Sequence, residues 1–112
     1  MKGLTIGKIA KQTGVNAVTL RFYEQCGLIP KANRTPAGYR MYPENLVEQV
    51  KFVKNAKTAG FSLAEISELS ELVGFDTNAH APQEKVSEKL VNVTEKMQAL
   101  KKVQKHLESL VD

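Results

Sequence analysis

The 112 residues include one cysteine, no tryptophan and no long apolar run. With Cys26 alone, no internal disulfide can form, which agrees with a reducing compartment. A thiol at that point reads as a small, partly buried side chain at a helix end. No stretch approaches the roughly 18 to 20 consecutive apolar residues that span a bilayer, and the amino terminus has no apolar signal core. A cytoplasmic protein without a membrane partner is expected. A Gly-rich phosphate loop, a His/Cys ligand pair and a nucleophile with a base at motif spacing are all missing, so the sequence does not read as an enzyme. The length allows one compact domain, or a small head with one protruding element, and not two full domains.

What is present is a charge polarity. The net charge of +4 divides into ten Lys/Arg against three Asp/Glu over residues 1–60, and six against nine over 61–112. A basic first half beside an acidic second half points to a polyanionic partner for the first half only.

Local signals order the basic half. Thr5 is placed to cap a short helix carrying Ile6, Ile9 and Ala10, which Gly14 stops. Asn16 caps a second helix through Glu24, ended by Gly27. Two short helices around a tight glycine turn are the outline of a helix-turn-helix whose second helix enters a major groove. From 28 to 42, Pro30 and Pro36 exclude a helix and Ala37-Gly38 supplies a turn, so this segment reads as a two-stranded wing with Lys31, Arg34 and Arg40. Pro43 at a first helical position opens a helix through Lys57 with Leu46, Val47, Val50, Val53 and Ala56 on its apolar face. Ser62 and Glu65 then form a capping box for another helix carrying Leu63, Ile66, Leu69 and Leu72.

Residues 73–82 have no sustained period and read as a linker. Beyond it, Val86, Leu90, Val93, Met97, Leu100, Gln104, Leu107 and Val111 alternate at spacings of four and three, a heptad seam with one polar member. So narrow a stripe calls for a partner helix, most economically a second copy; a helix folded back on its own head is the alternative. Gln104 is a candidate for setting register.

The stretches Leu4-Thr5-Ile6-Gly7, Arg21-Phe22-Tyr23-Glu24, Gly38-Tyr39-Arg40 and Phe61-Ser62-Leu63-Ala64-Glu65-Ile66, at these separations, closely resemble the MerR family of bacterial transcription regulators, nearest its heavy-metal-responsive branch. The resemblance implies a mostly α fold: a winged helix-turn-helix head with its second helical pair (1–72, helix-turn-helix about 5–25, wing about 28–42), the linker, and a long antiparallel coiled-coil dimerisation helix (83–112). It implies DNA contacts from Thr19, Arg21, Tyr23, Arg34, Tyr39, Arg40 and Lys57. It also implies a homodimer on promoter DNA that distorts the duplex in response to an effector, so that RNA polymerase can engage it. Arginine's planar fork suits phosphate or guanine, which favours Arg21 and Arg40 for register.

In the metal-sensing branch, thiolates at the dimer helices hold the effector. The matching first position here is Ala79, which offers neither a thiolate nor the hydroxyl of the monovalent-metal members, and residues through Asp112 include none of the cysteines of the branch's following loop. Cys26, His80 and His106 have no cluster spacing. No metal site or cofactor is therefore expected in these residues, and a metal ion only in a form that carries the missing loop. An architectural or protein-interaction module without effector sensing is the alternative function.

Overall fold

The computed structural model describes residues 3–73 and 82–112. The described chain forms α1 (Ile6–Thr13), α2 (Ala17–Gln25), β1 (Asn33–Arg34), β2 (Arg40–Met41), α3 (Leu46–Thr58), α4 (Leu63–Val73) and α5 (Gln83–Glu108). It divides into two compact units, Met1–Ala79 and His80–Asp112. The architecture is the expected one, mostly α with a small two-stranded sheet.

In the first unit the helix ends are set by the caps that the sequence supplies. Thr5 Oγ1 accepts from the Lys8 amide at 3.3 Å and Asn16 Oδ1 from the Thr19 amide at 2.8 Å, each satisfying a first-turn donor that has no partner inside the helix. Ser62 and Glu65 close their box in both directions, at 2.9 and 3.2 Å. Gly14, at φ 74°, turns the chain between α1 and α2, a left-handed conformation that glycine adopts without steric cost. The buried Thr13 holds the same turn from inside: its hydroxyl donates to the Ile9 carbonyl at 2.7 Å and accepts the Val15 amide at 3.2 Å, while Lys54 Nζ donates to its carbonyl at 3.0 Å.

The core of this unit centres on Ile9, Leu20, Leu28, Leu46, Val50, Val53 and Ile66. It lies where α1 packs on α2 and α3, and α3 on α4. Gln49 Nε2 donates to the Leu28 carbonyl at 3.2 Å, joining α3 to the segment that follows α2.

Four boundaries and placements differ from expectation. The ribbon is shorter than 28–42, because Leu28 and Ile29 are buried in the core and only 33–34 and 40–41 pair. Helix α3 starts at Leu46, not Pro43. Tyr42 gives both its amide and its carbonyl to a bridge with Leu4, at 2.8 and 2.7 Å, and the chain then climbs through a tight turn in which the Leu46 amide reaches the Pro43 carbonyl. Cys26 is exposed rather than partly buried. Finally, α5 ends at Glu108, leaving Val111 outside the helix. The Ser109 hydroxyl donates to the His106 carbonyl, and the Leu110 and Val111 amides fall back to the third preceding carbonyl, which tightens and closes the last turn.

The second unit is α5 with its short exit. No residue of this helix is buried, and Val86, Leu90, Met97, Leu100 and Leu107 are exposed along it. The linker, with Ala79 and His80, lies outside the described residues except for its end residues, Val73 in α4 and Pro82 capping α5. Among the described residues no helix is long and apolar enough to cross a membrane.

Candidate nucleic-acid interface

Helix α2 presents two different faces. Leu20 and Tyr23 point into the core, whereas Arg21 is exposed. Beside it runs the wing, where β1 and β2 pair antiparallel with Asn33 opposite Met41 and Arg34 opposite Arg40. Like charges directly across a strand pair repel. Two arginines in register therefore cost the free protein some stability, which an anion between them would recover.

The turn of the wing is held locally. Thr35 and Tyr39 exchange bonds, the Thr35 amide to the Tyr39 carbonyl at 2.8 Å and the Tyr39 amide to Thr35 Oγ1 at 3.0 Å. The Gly38 amide reaches the Thr35 carbonyl at 2.8 Å, and Arg34 Nη1 donates to the Gly38 carbonyl at 3.0 Å, so this guanidinium is partly oriented before any ligand arrives. The Tyr39 ring stands in solvent.

Between α2 and the wing lies a cleft of about 410 Å³ lined by Arg21, Glu24, Gln25, Lys31, Ala32, Arg34 and Arg40. Four cations and one carboxylate line it, and that carboxylate is engaged. Glu24 Oε1 accepts the Ala32 amide at 2.8 Å and Oε2 the Tyr42 hydroxyl at 3.0 Å. Burial, followed by the hydrogen bond to Glu24 and its charge, pushes the Tyr42 hydroxyl above the usual tyrosine range, with Arg40 and Arg21 opposing. With four cations against one acid the lining is net positive, and Glu24 ties the wing to α2.

Of the contacts expected from sequence, the cleft brings together Arg21, Arg34 and Arg40. Lys57 is exposed on the last turn of α3 and does not line it. Thr19 is half-buried in the first turn of α2, its amide committed to Asn16. Tyr23 is only 4% exposed, its ring in the core, and burial pushes its hydroxyl above the tyrosine range. Lys31 was legible as a basic wing residue but not as part of the cleft, since nothing local shows that it lines the same cavity as Arg21. On α5, Val103 is a further exposed apolar residue beside the seam position Gln104. It is 56% exposed and lies three residues after Leu100 and four before Leu107, on the face of both.

A metal effector has no fitting donor set here. Among the described residues no three His, Cys, Asp or Glu side chains gather into a group that could hold an ion. Soft ions are selected by thiolates, and the single thiol is exposed at the end of α2.

A family model for the MerR HTH family regulatory proteins matches residues 4–72, and one described as MerR, DNA binding matches 47–110. A mercuric resistance operon regulatory protein of Serratia marcescens is 41% identical over 113 residues, spanning 99% of this chain and 76% of that protein. A protein of the same description from Bacillus cereus is 36% identical over 106 residues, spanning 94% of this chain and 80% of its own length. Among solved structures, HiNmlR, a MerR family regulator lacking the sensor domain and bound to promoter DNA, matches with a TM-score of 0.75, covering 97% of this chain and 85% of that one. At 24% identity, that likeness concerns the fold.

Proposed function

The chain belongs to the MerR family of helix-turn-helix regulatory proteins, and on that premise we propose that it binds promoter DNA as a homodimer, one head on each half of a near-palindromic site. The observation that carries this reading is the pairing of Arg34 with Arg40 across the wing, in one cleft with Arg21 and Lys31. Such a cluster destabilises the free head and suits a phosphate backbone, to which arginine presents two donors in one plane. Helix α2 then lies in the major groove with the wing on the flanking backbone, and Tyr39 and Lys57 add contacts outside the cleft.

Dimerisation is assigned to α5. A lone helix of 26 residues with an exposed apolar stripe is marginal in water, and a second copy covers that stripe. Two heads held by one antiparallel pair can share the cost of bending the promoter, several kcal/mol for a site of this size, and so present it to RNA polymerase. A metal ion as effector, the reading that the relatives' names favour, needs thiolates that the described residues do not bring together, so no step here runs through one.

Binding-site selection from random duplexes followed by footprinting tests the proposal. The expected result is protection of a near-palindromic site, with affinity falling steeply as salt rises and counterions are released. Weak binding at scattered sites would favour an assembly or architectural module instead.

A further inference from the structure

Helix α2 carries apolar side chains on its outer face as well as its inner one. Leu20 and Tyr23 are buried, but Val18 is 76% exposed and Phe22 43% exposed. Residues four apart stack on one face of a helix, so these two form a continuous apolar strip over its first two turns. A single exposed valine would need no explanation. A strip on the outer face of the helix bordering the basic cleft does.

We propose that Val18 and Phe22 read thymine methyl groups in the major groove. The inference rests on the DNA-binding reading above and goes beyond it, because contacts to phosphate position a protein without distinguishing sequences. The C5 methyl of thymine is the apolar group that a base pair offers in the major groove, and small aliphatic or aromatic side chains are its partners. The amino-terminal residues of a recognition helix are the ones that reach base edges, which is where Val18 sits, one turn ahead of Phe22. Charge complementarity argues for DNA rather than a protein as the occupant. Arg21 lies on the same helix, with Lys31, Arg34 and Arg40 around the cleft that it borders, and the acid of α2, Glu24, is occupied by Ala32 and Tyr42. Arg21 thus anchors the helix to the duplex while the apolar strip chooses among base pairs.

The test uses the whole 112-residue chain and the duplex that selection returns. Each thymine of one half-site is replaced in turn by deoxyuridine, which removes the methyl and leaves the hydrogen-bonding edge intact. Wild-type protein is expected to lose about fourfold in affinity at one or two positions, the worth of one buried methyl, and roughly the square of that when both half-sites are changed. Val18→Ala is expected to bind the thymine site more weakly and to lose the uridine penalty at one of those positions; Phe22→Ala is expected to lose it at the neighbouring one. Alanine is the better helix former at an exposed position, so Val18→Ala does not owe its loss to unfolding, and helical content measured by circular dichroism checks both variants. Indifference of the wild type to uridine at every position would overturn the inference without any variant being needed. So would an undiminished penalty in both variants. A protein that selects no duplex at all would instead remove the DNA-binding reading, and the inference with it.

Discussion

The Tyr42 hydroxyl donates a 3.0 Å hydrogen bond to Glu24, whose second carboxylate oxygen accepts the Ala32 amide at 2.8 Å. One side chain of α2 thus holds both legs of the wing, the leg entering at Ala32 and the leg leaving at Tyr42. Tyr42 is in turn fastened to Leu4 by a two-bond bridge. The angle between helix and wing is therefore set by Glu24 rather than by the two short strands.

Removing the Tyr42 hydroxyl tests this clamp. Tyr42→Phe is expected to cost about 1 to 3 kcal/mol of stability, the range for hydrogen bonds including those to a charged group. It also carries a pH signature. Because the folded state holds the Tyr42 proton more tightly than the unfolded chain, this contribution is complete below the ordinary tyrosine value of about 10 and is lost as pH rises through the higher folded value. Denaturant melts from pH 8 to 11 are expected to show stability falling at the alkaline end, and falling less in Tyr42→Phe. Parallel curves would mean that folding does not tighten the hold on the Tyr42 proton, and superimposed curves that the hydroxyl contributes nothing.

Arg21→Ala and Arg40→Ala are each expected to weaken binding to the selected duplex by about 1 to 3 kcal/mol, as the loss of a well-placed arginine contact does. Lys57→Ala, outside the cleft, is expected to do less and to act equally on all sequences. Fluorescence anisotropy titrations at fixed salt decide this, and unchanged affinity in either arginine variant removes that residue from the interface.

A charge in the stripe of α5 is expected to separate the protomers. Leu90→Asp and Leu100→Asp would bury an unpaired carboxylate between helices and yield monomers that no longer hold a full site. Sedimentation velocity reads the outcome, and dimers persisting in both variants would place the interface elsewhere. Val103→Asp is expected to act as strongly as Leu100→Asp and Gln104→Asp less, since both flank the face of Leu100 and Leu107 but only Val103 adds apolar surface to it.

Titration of these 112 residues with mercury, lead, zinc or copper is expected to show at most binding through the Cys26 thiol, abolished in Cys26→Ser. Stoichiometric, submicromolar binding in that variant, read by calorimetry, would reveal a donor set that neither the sequence nor the described residues bring together.

The sequence by itself determined the starts of α1, α2 and α4 and the turns around Gly14 and Gly27. Thr5, Asn16 and the Ser62/Glu65 pair act on amides three residues away, and Gly14 and Gly27 supply positive φ where the chain reverses, so each decision is made within a few residues. The family motifs and the charge polarity were legible for the same reason: they are strings and counts. Tertiary structure decided what depends on distant neighbours. Tyr23 went into the core and Arg21 to the surface because the hydrophobic core claims one face of α2, and no spacing inside a nine-residue helix with apolar residues on both faces says which. Tyr42 is paired with Leu4, far away in sequence, and the chain reaches α3 at Leu46 through a tight turn. Arg34 faces Arg40 only through the strand register, and Glu24 meets Tyr42 across 18 residues. These contacts are formed by chain closure and packing, whose energies are not carried by any local run of the sequence.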